Sequence, residues 1–96
     1  MEVKATQKQV RYLRYLNKVF VDRVKRHVFV KYSHRSHVEL EIAKSKLSVI
    51  EGFDFGGLSK REASRMIDAY KRLLRMPPHA MVDYVINLSL DELFSN

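Results

Sequence analysis

A chain of 96 residues, 46% hydrophobic and 30% charged, has room for one core and one domain, and it is too apolar for a disordered tail. It contains no cysteine, which excludes disulfides and thiolate metal sites, and it has no run of 18 apolar residues, which argues against a membrane span. The net charge of +7 is concentrated: residues 1–37 carry ten Lys/Arg against Glu2 and Asp22, residues 38–96 carry eight against nine acids, and residues 76–96 carry three acids and no Lys or Arg.

The first predicted helix runs from about Gln7 to at least Phe20, and as far as Arg26 on the longer reading. Thr6 and Gln9 have the spacing of a capping box, in which each side chain satisfies a backbone donor of the other. At 100° per residue Val10, Leu13, Asn17, Phe20, Val21 and Val24 share one face, and Lys8, Arg11, Arg14, Tyr15 and Lys18 take the other side. Residues 27–51 fit two patterns. His27–Tyr32 and His37–Ile42 both alternate as strands and could pair as a β-hairpin over residues 27–42. Ser36 and Glu39 form a second capping box, however, and Val38, Ile42, Ala43, Leu47 and Ile50 recur at helical spacing up to Gly52, so a helix over 37–51 is favoured.

Residues 53–58 read as a loop whose Phe53 and Phe55 fold back on the core. Ser59 and Glu62 start a further helix, Lys60 to about Arg75, with Ala63, Met66, Ile67, Tyr70, Leu73 and Leu74 as its buried stripe and Pro77-Pro78 as its stop. A fourth helix fits His79 to Ile86, and Ser89, three residues before Glu92, caps a short turn through Phe94. The expected fold is mainly α: a single domain over 1–96, a bundle of three to four helices, with the hairpin at 27–42 as an open alternative.

Catalytic patterns are missing from this chain. No Gly-x-Ser-x-Gly elbow and no Gly-x-x-x-x-Gly-Lys-Ser/Thr loop occurs, and three glycines are too few for a dinucleotide turn. The expectation is therefore no enzyme and no cofactor. His34 and His37, with Glu39 and Glu41 nearby, supply two good metal ligands where a zinc site needs at least three, so no metal is expected. Polyanion binding is the strongest signal. The candidate contacts are Lys8, Arg11, Arg14, Tyr15, Lys18, Arg23, Lys25, Arg26, Lys31 and Arg35, with Arg61, Arg65 and Arg72 as a second patch. Arginine grips phosphate in two places at once, lysine neutralises it, and tyrosine offers a face on which a base stacks.

Two segments also resemble known modules. Residues 5–16, Ala-Thr-Gln-Lys-Gln-Val-Arg-Tyr-Leu-Arg-Tyr-Leu, resemble an opening A-T-x-K-Q-x-x-Y-L-x-x-L, and residues 58–68 resemble L-[ST]-K-x-E-A-S-x-x-I-D. This pairing is similar to short phage and prophage modules, such as Mu-like GemA regulators and accessory segments of phage recombination and replication proteins. In this chain residues 21–57 form a longer connection than those modules have. The resemblance implies a phage or mobile-element origin and a part in DNA transactions. The partner expected is nucleic acid, DNA ahead of RNA, with no membrane. The alternative is a small interaction module that docks on an acidic host or viral protein to inhibit or recruit it. The charge asymmetry also suits head-to-tail self-association, although isologous homodimers are the commoner form. The opening Met1-Glu2-Val3-Lys4 has no apolar stretch behind it, so no leader and a cytoplasmic setting are expected.

Overall fold

Thr6 opens the first helix as its spacing from Gln9 predicts. In the computed structural model, which describes residues 3–30 and 37–88 (side chains at 28–30 and 37 excepted), the Gln9 N–H donates to Thr6 Oγ1 at 3.1 Å and the Thr6 N–H to Gln9 Oε1 at 3.0 Å. Helix α1 then runs over Gln7–Val30, four residues beyond the longer sequence estimate. Helix α2 covers His37–Glu51, so 27–30 and 37–42 are helical and the hairpin alternative falls for those residues. The apolar side chains of α2 that lead into the core (Ala43, Leu47, Ile50) hold a helical spacing that a strand would split between two faces. Residues 31–36 lie outside the described residues, and so does the capping contact expected from Ser36.

Helix α2 ends without a left-handed cap. Gly52 has no positive φ, and its N–H simply continues to Ser48 O at 3.2 Å before Phe53 N–H bonds Ile50 O. A 3-10 turn at Phe55–Gly57 follows, opened by Asp54, whose carboxylate accepts the Gly56 N–H at 2.9 Å. A Cβ at position 56 would sit 3.1 Å from that carboxylate oxygen, so the turn favours glycine there. Helix α3, Lys60–Leu73, starts on the Ser59–Glu62 box and stops two residues short of the estimate. Serine hydrogen bonds, first from its backbone and then from its hydroxyl, hold the Glu62 carboxyl below the ordinary glutamate range. Pro78 does more than end α3. It is the first residue of α4, Pro78–Asn87, where its missing N–H is no loss, and Pro77 O accepts from Ala80 and Met81. The capped turn expected from Ser89 lies outside the described residues.

Helices α1 and α3 lie side by side and parallel. Gln9 Nε2 donates to Lys60 O at 3.2 Å, and Arg23 Nη1 donates to Leu74 O at 3.0 Å. The two contacts are separated by equal lengths of helix in both chain segments, about 21 Å of rise. The N-terminal arm clips the pair together. Lys4 bridges Ser59, the Ala5 N–H donates to Leu58 O at 3.0 Å, and the Lys60 N–H donates to Val3 O at 2.7 Å. The segments 5–16 and 58–68 thus meet at one end of the molecule. Ala63 is fully buried there, and its small side chain permits the close approach.

The core fills the space between this pair, α2 and α4. Leu13, Leu16, Phe20 and Val24 of α1 face Leu47 and Ile50 of α2, Met81, Val82 and Val85 of α4, and Phe55 from the 3-10 turn. Phe20 and Phe55 meet Tyr70 edge-on, with ring centroids 5.9 and 6.5 Å apart. One polar device crosses this core. The Tyr70 hydroxyl donates to Asn17 Oδ1 at 2.6 Å, and Asn17 Nδ2 donates to Ile50 O at 3.1 Å, tying α3, α1 and α2 together. Burial pushes the Tyr70 phenol above the ordinary tyrosine range, so it remains a donor. Tyr70→Phe keeps the ring and strands the buried Asn17 oxygen. It should lower the unfolding free energy by about 1–3 kcal/mol, read from urea denaturation followed by far-UV dichroism. Replacing Asn17 by Leu in that background should recover part of the loss, because no orphaned acceptor remains.

Candidate nucleic-acid interface

The core stripe of α1 leaves about half of its circumference to solvent, and that half is cationic. In projection Lys8, Arg11, Tyr15, Lys18, Asp22 and Arg26 fall within an arc of about 80° opposite the core. All six are exposed, Tyr15 to 62%. From Lys8 to Arg26 the arc runs about 27 Å along the helix. Arg14 lies just past its edge and is also exposed. Among the described residues no carboxylate pairs with Lys8, Arg11, Arg14, Lys18 or Arg26, and Asp22 is the single acid within the arc.

Two of the expected contacts are engaged elsewhere. Arg23 points along the α3 side of α1 and caps the C-terminal end of α3 through Leu74 O, where a cation meets the negative end of the helix dipole. Lys25 is paired with Glu51, Nζ to Oε2 at 2.9 Å, with both side chains partly exposed. Such a pair is worth roughly 0–1 kcal/mol and opens readily to a stronger anion, but it removes Lys25 from the free cations. Lys31 and Arg35 lie outside the described residues, as does His34.

The second patch is real but separate. Arg61, Arg65 and Arg72 are exposed and fall within about 40° on α3. Lys71 marks the edge of α3 beside α1, its Nζ 5.7 Å from the Tyr12 ring centroid. The three arginines lie some 80–120° further round α3 than Lys71, on a separate face of that helix. Lys71 therefore lies beside α1, and no such contact ties the arginines to it. Lys4 and Lys60 likewise fall outside the charged stripe that helical spacing marks. The Lys4–Ser59 bridge sets them beside Lys8 at the shared N-terminal end of α1 and α3. Only the long-range pairing of the arm reveals that neighbourhood.

Beside the arc, between α1 and the segment leaving α2, lies a cleft of about 360 Å³. Arg14, Lys18 and Asp22 form one wall, Glu51 and Phe53 the other, and Val21 and Asn17 the floor. Phe53 stands edge-on to the buried Phe55, with centroids 5.0 Å apart. Among the described residues no three His, Asp or Glu side chains come together as a metal site, and no helix is long and apolar enough to cross a membrane.

The fold and surface define a small, mainly helical bundle with a cationic helix face. Compared with known protein families, curated proteins and solved structures, the chain has no detectable match.

Proposed function

We propose that the chain is a non-enzymatic nucleic-acid-binding accessory protein that holds the phosphate backbone along α1. One observation carries this reading: five exposed cations with no carboxylate partner among the described residues, Lys8, Arg11, Arg14, Lys18 and Arg26, lie along one helix with a single acid among them. A rigid row of cations about 27 Å long suits a polyanion whose charges repeat along a line. Tyr15 stands among them with its ring exposed, where it can lie against a sugar or base. The resemblance of residues 5–16 and 58–68 to phage modules favours DNA and a phage or mobile-element setting, in the host cytoplasm.

The test is a salt series. Fluorescence anisotropy with a labelled 20-base-pair duplex, between 50 and 200 mM NaCl, should give log K against log salt a slope of about −4, one unit or slightly less per cation. Affinity should then fall several-hundredfold across that range. A slope near zero would show that the cations do not meet phosphate.

A second reading has one observation behind it. Val38, Ile42 and Val49 are exposed on the outer face of α2, Val38 to 66%, which suits a module docking on an acidic protein with apolar contacts beside its charges. Retained affinity for an acidic polypeptide, with no binding to either form of DNA at low salt, would select it.

A further inference from the structure

We infer that the cleft beside α1 takes one unstacked nucleotide of a single strand, with a base that carries an exocyclic amine. This rests on the nucleic-acid reading above and adds the form of the ligand to it.

The cleft combines three features that a smooth cationic ridge lacks. Its volume of about 360 Å³ lies at the small end of ligand-binding clefts, which suits a single nucleotide. Its rim carries Arg14 and Lys18, both exposed and continuous with the arc along α1, so a strand tracking the helix passes phosphates directly over the opening. Its far wall is Phe53, half-buried and held edge-on by Phe55, which fixes an aromatic side chain without burying it.

The acids in the same cleft decide which base fits. Asp22 and Glu51 would oppose a second phosphate, so the phosphates stay at the rim and the base goes in. Glu51 Oε2 is occupied by Lys25, which leaves Oε1 to accept a hydrogen bond, and Asp22 is exposed across from it. Carboxylates accept from exocyclic amines, as on cytosine, adenine or guanine, and find only carbonyls and a ring N–H on thymine. A base in a duplex cannot enter, because its face and its pairing edge are covered.

The chain contains no tryptophan, so Phe53→Trp provides a single reporter at the cleft wall. The full chain carrying Phe53→Trp is titrated with dC12, dT12 and a 12-base-pair duplex, with anisotropy of labelled DNA measured in parallel. Expected are Trp fluorescence quenching by dC12 at saturation, no quenching by the duplex, and dC12 bound about tenfold tighter than dT12. Phe53→Leu, which keeps apolar volume but loses the ring face, should weaken dC12 about 5- to 100-fold and leave the duplex unchanged. Dichroism of both variants checks that they fold, and Glu51→Ala in the wild-type background should reduce the dC12 over dT12 preference if they do not. Saturable binding of dC12 and duplex alike, with an unquenched reporter, would overturn the cleft assignment and leave the backbone reading in place. Absence of binding to every DNA would overturn both.

Discussion

Phe20→Ala should lower the unfolding free energy by about 3–5 kcal/mol, the largest loss expected from any single substitution in this chain. Phe20 is 1% exposed and sits at the middle of α1, where the core stripe crosses the ring of Tyr70. Truncation removes the transfer energy of the ring, its edge-on contact with Tyr70 and the packing around both, and helices pinned at their ends cannot collapse into the gap. Gln9 and Arg23 hold α1 to α3 on either side of Phe20, so the cavity stays open. A domain of this length has roughly 5–15 kcal/mol in total, so the variant gives up a large fraction of it. Thermal melting followed at 222 nm should show a fall of tens of degrees, since each kcal/mol moves the midpoint of a domain this size by about 4–8 °C. A shift under 5 °C would mean that the centre of α1 is not packed as described. Tyr70→Phe provides the comparison: it deletes one hydroxyl in the same place and should lose less, about 1–3 kcal/mol.

The helices could be read from the sequence because capping chemistry and apolar spacing agree at each of them. Thr6 with Gln9 and Ser59 with Glu62 form both halves of their boxes, and Ala63, Tyr70 and Leu73 are buried at the spacing that places them on one stripe. Segment 27–42 was harder, because His27–Tyr32 and His37–Ile42 alternate well enough for strands. Deciding between strand and helix there depends on Ala43, Leu47 and Ile50, whose burial requires the helical period to continue past residue 42. Helix ends were set by interactions that local spacing does not encode. Helix α1 runs on to Val30, and α3 stops at Leu73, where Arg23, more than fifty residues away in sequence, donates to the carbonyl of the C-cap residue Leu74.

The candidate site was legible only as a list of charges. Periodicity placed Lys8, Arg11, Arg14, Tyr15 and Lys18 away from the core, and they are exposed there. It could not separate free cations from engaged ones. Arg23 and Lys25 sit in the same basic run, yet one caps α3 and the other pairs with Glu51, both through contacts across the fold. The reverse error concerns Lys71, which joins the α1 side only because α3 packs parallel to α1 and brings its edge against Tyr12. The cleft is also a tertiary product. Phe53 and Glu51 read as a loop aromatic and a helix-end acid until α2 delivers them beside Arg14 and Lys18.

Reversing Lys8, Arg11 and Arg26 to Glu together should weaken binding to duplex and single-stranded DNA alike, on the order of 100- to 1000-fold at low salt. Hydrogen bonds between a cation and a phosphate contribute about 1.5–3 kcal/mol each, and a carboxylate in the same place repels what the cation attracted. The full product of three such losses is not expected, since Lys8 and Arg11 are one turn apart and share neighbouring phosphates. The slope of log K against log salt should become shallower by about three, because three counterion-releasing contacts are gone. Structure should survive. All three side chains are exposed, none is among the cleft residues, and Glu at position 8 lies in the first turn of α1, where the helix dipole favours an anion. The same three reversals at Arg61, Arg65 and Arg72 remove equal charge from the net +7 but act on a separate face, on α3. They should weaken binding far less, tenfold or under. Equal losses from both triples would mean that net charge alone governs affinity and that α1 has no privileged role. A loss confined to the α1 triple, with an unchanged melting curve, ties the phosphate backbone to that helix.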